Sequence, residues 1–382
     1  MKLIKSTLRT CILLLAVSFL SSPGLLMSEN NNLVIHSETM TLDVEQMANG
    51  FGVPWAMAFL SADKLLITER EGFVYLLNLK TRQRQKLKNV ADVLTGGQGG
   101  MLDLALSPDF EKSGWVYFTY VKPVNSLGVT VLARARLTED RFSQWQELMV
   151  SNSATDTSRH FGSRIAFDRQ GHVFFSIGDR GERANAQNLA NHAGSILRLN
   201  LDGSVPEDNP FFTEKAILPE IWSYGHRNPQ GLVYDEQYHR LWSIEHGPRG
   251  GDEINLIMPG QNYGWPVISY GKEYWGPVAV GEGTHRKGMQ QPVQVYIPSI
   301  APGSLMLYSH DALAKWKGNL FSGALKLRHI NRIVLNKEAQ VVKEERLLEK
   351  LNKRIRALAQ SPEGWLYFST DNGEIYRIKP RD

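Results

Sequence analysis

Cysteine is almost absent from this chain of 382 residues: the one copy, Cys11, lies in an N-terminal apolar segment. Beyond that segment neither a disulfide nor a thiolate metal site is available, so stability has to come from buried apolar surface and closure of the chain on itself. Strong charge of one sign is missing too. The formal net charge is +4, and Lys2, Lys5 and Arg9 of residues 1–28, a stretch with no acid, supply three of those positives, leaving about +1 for the rest. A near-neutral body gives no electrostatic case for binding nucleic acid or an anionic membrane. Long hydrophobic runs are lacking as well: residues 11–20 fall short of the ~18–20 needed to span a bilayer. With its basic head and the small residues Ser21-Ser22-Pro23-Gly24 after it, this segment reads as a secretory signal over 1–28. An uncleaved anchor is the alternative, and no clean Ala-x-Ala marks the cleavage point. The expectation is an exported, periplasmic protein with no transmembrane segment in its mature part, residues 29–382.

What is present is a repeat. An apolar strand, a short polar turn and a second apolar or aromatic strand recur six times, beginning at Pro54, Leu102, Ser163, Asn228, Gly303 and Arg354. Self-similarity of this kind, with β-branched and aromatic strands cut by Asp, Gly and Pro turns, predicts an all-β, six-bladed β-propeller, because one blade cannot bury its faces alone. A closed propeller also accounts for one domain at a length that would otherwise suggest two. The longest stretches outside the repeat, 121–159 and 258–299, read as outer strands and loops.

The repeat says where the polar residues go. Paired strands run antiparallel, so the start of the first and the end of the second share one edge of each blade. Counting back equally from the turn acids Asp168 and Asp235 reaches His160 and Arg227, with Gln98 and Arg354 within about one place of the same offset. The second-strand ends add Glu69-Arg70, Gly178-Asp179-Arg180, Glu245-His246-Gly247-Pro248 and Asp371-Asn372-Gly373 to that face. A lone loop histidine commonly does no more than bond its neighbours. A nearby Arg227, however, would depress the pKa of His160 and favour the neutral imidazole that a general base needs. Arg227 has its own bland reading, a pair with Asp235 or Glu220. Arg354 and Arg356, two apart on a strand, project to one side and repel unless something anionic lies between them. With Lys326, Gln98 and Asn228 they suit a planar polycarboxylate ligand. The run 245–255 exposes carbonyls at Gly247 and Pro248 and carboxylates at Asp252 and Glu253, oxygen donors of the kind calcium takes, although its spacing is not that of an EF-hand.

These stretches together resemble the soluble quinoprotein sugar dehydrogenases, the aldose sugar dehydrogenase and soluble glucose dehydrogenase group, over nearly all of the chain after about Phe51. The most specific are Gly97-Gln98-Gly99-Gly100-Met101-Leu102-Asp103, Arg159-His160-Phe161-Gly162, Tyr224-Gly225-His226-Arg227-Asn228-Pro229-Gln230-Gly231, Glu245-His246-Gly247-Pro248, Gly251-Asp252-Glu253-Ile254-Asn255 and Asn262-Tyr263-Gly264-Trp265-Pro266. The resemblance implies a six-bladed propeller that uses pyrroloquinoline quinone (PQQ) and calcium to oxidise aldoses to lactones. It implies that His160 takes the proton of the anomeric hydroxyl and that Arg227 stabilises charge on the quinone oxygens. Gln98, Asn228, Tyr274, Lys326, Arg354 and Arg356 would hold the cofactor, the carbonyls of Gly247 and Pro248 one calcium, and Glu253 with the Tyr263 carbonyl a second. Arg159 stands where the glucose-specialised branch has an acid, Ile297-Pro298-Ser299 replaces an aromatic-led segment, and the loop after Asp179 is short; these departures favour the broader aldose branch.

Two other classes stay open on sequence. A calcium-dependent propeller lactonase would need several Glu, Asp and Asn side chains converging on one metal, and a non-catalytic secreted propeller would need only exposed loops. The electron acceptor and the preferred aldose cannot be read from these residues.

Overall fold

The strand at Lys64–Glu69 shows why the repeat closes into a ring: Leu65, Leu66 and Ile67 are all fully buried. Successive side chains point to opposite faces, so Leu66 enters the core shared with the next blade, whereas Leu65 and Ile67 enter the core shared with the last. A strand buried on both faces reads as a continuous apolar run, each Leu or Ile gaining roughly 1.5–3 kcal/mol from burial. The computed structural model describes residues 33–381 and arranges them in six antiparallel sheets, each begun by one copy of the repeat. The signal segment predicted over 1–28 lies outside the described residues. Among those residues no helix is long and apolar enough to cross a membrane.

The inner strands are Pro54–Ser61, Met101–Leu106, Ile165–Phe167, Pro229–Asp235, Met306–Leu307 and Ile355–Gln360. Five blades have four strands in chain order. The sixth is finished by the beginning of the described chain: Thr41–Ala48 pairs with Ile375–Pro380, with Val44 opposite Ile378, and Leu33–His36 adds an outer edge. Residues 121–159 are largely the long outer strands Leu127–Thr138 and Arg141–Val150, and most of 258–299 is loop around the short strand Gln294–Tyr296.

One device joins the blades. Every second strand carries a buried hydroxyl at the same place: Thr68, Thr119, Ser176, Ser243, Ser322 and Ser369. Four of them donate to a carbonyl where the next blade begins: Thr68 to Leu102 (2.6 Å), Thr119 to Ser163 (2.6 Å), Ser176 to Pro229 (3.0 Å) and Ser369 to Pro54 (2.7 Å). The last of these links the sixth blade to the first. Ser243 and Ser322, flanking the fifth blade, have no partner.

Candidate active site

The loop entering the third blade carries His160 in the left-handed region, φ +57°, followed by Gly162 at +62°, where a Cβ would come within 2.7 Å of the Ser176 carbonyl oxygen. Such backbone persists only when its surroundings hold it. Here the holding groups are explicit. The His160 N–H donates to Gln98 Oε1 at 2.7 Å, and the fully buried Arg180 guanidinium donates to the carbonyls of Arg159, Thr157 and Gly128 while lying 3.5 Å over the Phe161 ring. Burial lowers the Arg180 pKa to about 10, against the upward pull of Asp179.

His160 Nδ1 lies 2.6 Å from Asp179 Oδ1. Asp179 also accepts the Gly181 N–H (2.8 Å) and, on its other oxygen, the Trp265 indole N–H (2.8 Å). Burial alone would raise Asp179, but the bond to His160, the Gly181 amide and the charge of Arg227 more than offset it and the net shift is downward. An acceptor-only carboxylate makes Nδ1 of His160 the protonated nitrogen and leaves the lone pair on Nε2. The imidazole itself is lowered from 6.5, first by burial and then by Arg227 and Arg159, against the upward pull of Asp179. Arg227 acts as the sequence suggested, though burial is the larger cause.

Arg227 pairs with neither Asp235 nor Glu220. Asp235 caps its own turn through the Gln237 N–H, and Glu220 faces His192. The guanidinium, in a residue only 7% exposed, donates to the carbonyls of His246 (3.2 Å) and Gly247 (3.0 Å) and approaches the Tyr274 hydroxyl (3.4 Å), with no carboxylate within 4 Å among the described residues. His160, Arg227, Gln98, Asp179, Trp265 and Tyr274, with Arg159 and Arg183, line one cleft of ≈290 Å³. Asn228 sits behind it, buried, its side-chain oxygen accepting the Gly162 N–H.

Arg354, Arg356 and Lys326 do not line this cleft. The anion between the two arginines is the protein's own Asp371, held by Arg354 Nε at 2.8 Å and by Arg356 at 2.8 and 3.1 Å. Lys326 is exposed.

Behind the cleft a cavity of ≈20 Å³ is lined by Glu245, Glu253, Gly247 and Tyr263, among others. Glu245 is satisfied by His226 (2.9 Å) and the Arg227 N–H (2.7 Å). Glu253 has only a 3.4 Å contact from Asn255, and burial plus the neighbouring Glu245 raise its pKa to about 8. Pro248, next in sequence, does not line this cavity and packs against Gly271. Among the described residues no group of three His, Cys, Asp or Glu side chains is placed to bind a metal.

Sequence reasoning misses three functional residues. It puts Asp179 on the correct face without a role, holds Trp265 only within a motif, and does not see Arg180 as a clamp. All three act across 19 or more residues of chain, which no local pattern records.

A family model described as glucose/sorbosone dehydrogenase matches residues 51–377. Aldose sugar dehydrogenase YliI of Escherichia coli is 37% identical over 352 residues, covering 90% of this chain and 94% of that protein. Quinoprotein glucose dehydrogenase B of Acinetobacter calcoaceticus is 24% identical over 416 residues, 88% and 86% of the two chains. Among solved structures, the PQQ-bound aldose sugar dehydrogenase of Streptomyces coelicolor superposes with a TM-score of 0.74 at 25% identity, over 89% of this chain and 98% of that one. With six blades, a His–Asp pair in a basic cleft and a family match over most of its length, this chain belongs to the glucose/sorbosone dehydrogenase family of oxidoreductases.

Proposed function

We propose that the protein oxidises aldose sugars at the anomeric carbon to lactones, using PQQ and calcium. The observation that carries this reading is Arg227: a buried guanidinium with no carboxylate partner, facing a cleft whose opposite wall holds a neutral histidine. An unpaired buried cation calls for an anionic ligand. The cleft suits a planar anion, since Arg159 and Arg227 line it together with the rings of Trp265 and Tyr274, Arg183 in the same wall being paired with Glu273. PQQ, when bound, supplies the two-electron acceptor for hydride.

The chain's own residues then divide the work. Asp179 holds His160 in the tautomer whose Nε2 accepts the proton of the anomeric hydroxyl as the C–H bond breaks. Arg227 places positive charge where negative charge develops on the acceptor. Gln98 fixes the backbone of His160 and keeps its amide nitrogen for the ligand. Asn228 anchors Gly162. Arg354, Arg356 and Lys326 reach the cofactor under this reading only if the Asp371 pairing yields or their side chains move. The Glu253 carboxylate, beside Glu245 and a cavity large enough for one water or bare cation, fits calcium, with the Tyr263 carbonyl as a further donor. Gly247 and Pro248 are less ready, because Arg227 already occupies the Gly247 carbonyl.

The test is dye reduction by the purified protein with aldose, before and after adding PQQ and calcium. Activity that needs both, and an absorbance change on adding PQQ, are expected. Sugar-independent behaviour or no response to the quinone would overturn the reading.

A further inference from the structure

On the face opposite the cleft, where first strands end and second strands begin, a groove opens between the fourth and fifth blades. Its volume is ≈620 Å³, more than twice the ≈290 Å³ of the cleft and of the size that holds small organic ligands. The reaction as described does not use it. Its floor is apolar: Val233, Leu307 and Leu335 are only partly buried and pack on the core cluster that contains Trp242. Trp242 is fully buried, and its indole N–H has no acceptor among the described residues. The seam between these blades is also one of the two without a bridging hydroxyl bond, since Ser243 has no partner.

The rim is cationic. Arg169, Arg240, Lys317 and Lys337 line the groove against the acids Asp235 and Glu236. Two of the four are already answered, Arg169 by Glu236 at 2.6 Å and Lys317 by Asp311 at 2.7 Å, and Asp235 accepts the amides of its own turn. Arg240 and Lys337 have no carboxylate within 4 Å among the described residues. The Arg240 guanidinium is nevertheless held in place: it lies 4.8 Å over the Tyr238 ring and gives one N–H to the Lys337 carbonyl at 2.8 Å. A guanidinium carries several N–H donors in a rigid fork, so this anchored one keeps most of them for an anion.

We infer that this groove binds a small amphipathic anion, an apolar body of ring or short-chain size that carries one carboxylate. The body lies on Val233, Leu307 and Leu335, and the head meets Arg240 and Lys337; apolar contact supplies affinity and the fixed guanidinium sets orientation. A neutral sugar fits less well, because the floor is aliphatic and the exposed ring of Tyr238 already carries Arg240 on its face. A ligand here touches two blades that the hydroxyl ring leaves unjoined, and one bound only by the folded chain stabilises it. The groove is on the other face from the cleft, so the inference stands apart from the dehydrogenase reading.

The test is titration calorimetry and thermal melting of the purified protein with 4-phenylbutyrate, using 4-phenylbutanol as the neutral-headed control and acetate as the head alone. The acid is expected to bind one site per chain with a Kd below about 1 mM and to raise the melting temperature, and the two controls to bind at least about tenfold more weakly. Arg240→Gln with Lys337→Gln, and separately Ser309→Trp at the exposed rim, are expected to weaken the acid at least about tenfold. Melting of the unliganded variants within about 5 °C of the parent shows that the fold is kept. Absence of saturable binding, or equal binding in both variants, overturns the proposal. So does 4-phenylbutanol binding as tightly as the acid, which leaves the cations without a role. Binding of maltotriose, or of anionic phospholipid vesicles, that is lost in the variants while 4-phenylbutyrate fails to bind the parent overturns it in favour of a saccharide site or a membrane surface.

Discussion

Replacing Asp179 by Asn is the sharpest perturbation of the site, since it removes one charge and almost no volume. The carboxylate accepts from His160 Nδ1 (2.6 Å), the Gly181 N–H (2.8 Å) and the Trp265 indole (2.8 Å). An Asn amide has one oxygen for these three donors, and its NH₂ must face either the indole or the imidazole. The relief open to His160 is to carry its proton on Nε2 and accept at Nδ1, which removes the base from the cleft. Positioned general-base catalysis is worth about 10²–10⁴, and the analogous Asp→Asn change in a serine protease triad, which leaves the histidine in the wrong tautomer, costs about 10⁴. A fall in kcat of about 10²–10⁴ is therefore expected for Asp179→Asn, with PQQ affinity changed only a few-fold. The pH profile separates this from simple misfolding. His160 is active unprotonated and its folded pKa is lowered below 6.5, so activity rises as pH climbs through that lowered value and is flat above it. Because Asp179 pulls the imidazole upward, its loss moves the acid limb to still lower pH. Steady-state rates from acidic to neutral pH with dye as acceptor measure both effects. Near-normal kcat, or an acid limb displaced to higher pH, would refute the tautomer argument.

Four further outcomes follow from the same geometry. His160→Ala is expected to lower kcat at least about a hundredfold while leaving quinone binding, followed by absorbance titration, nearly intact. Asp371→Asn frees Arg354 and Arg356 from their anion; if they serve the cofactor, PQQ binds tighter, and an unchanged Kd removes them from the site. Ser369→Ala breaks the bond to Pro54 and leaves the Ala357 N–H without its acceptor, at a cost of about 1–2 kcal/mol in urea unfolding, whereas Ser322→Ala, with no bond to lose, stays within about 0.5 kcal/mol; equal costs would dismiss the hydroxyl ring. Calcium is expected to raise the melting temperature and chelator to lower it, and Glu253→Gln should abolish that dependence; a calcium response that survives in the variant places the ion elsewhere.

The propeller was legible because its cause is local and repeated: strand-turn-strand copies such as those at Ser163 and Asn228 carry their own alternation and turn residues, and six units that cannot bury both faces alone must pack in a ring. The shared edge of the inner strands likewise placed His160, Arg227 and Gln98 together, since antiparallel pairing puts those positions at one end of every blade. Even the hydroxyl ring stands in the sequence, one Ser or Thr per second strand, although only the packed blades show that four of them reach across. What the tertiary structure alone decided are the pairings between distant segments. Asp179 orients His160 and Trp265 orients Asp179; Asp371 answers the repulsion of Arg354 and Arg356 that the sequence left open; Arg227 turns to backbone carbonyls rather than to Asp235 or Glu220, the pairing its bland reading offered. The closure of the sixth blade by Thr41–Ala48 belongs to the same class. Strand periodicity determines which face a side chain takes, but the identity of its partner depends on where other turns of the chain arrive in space, and that is set only when the ring closes.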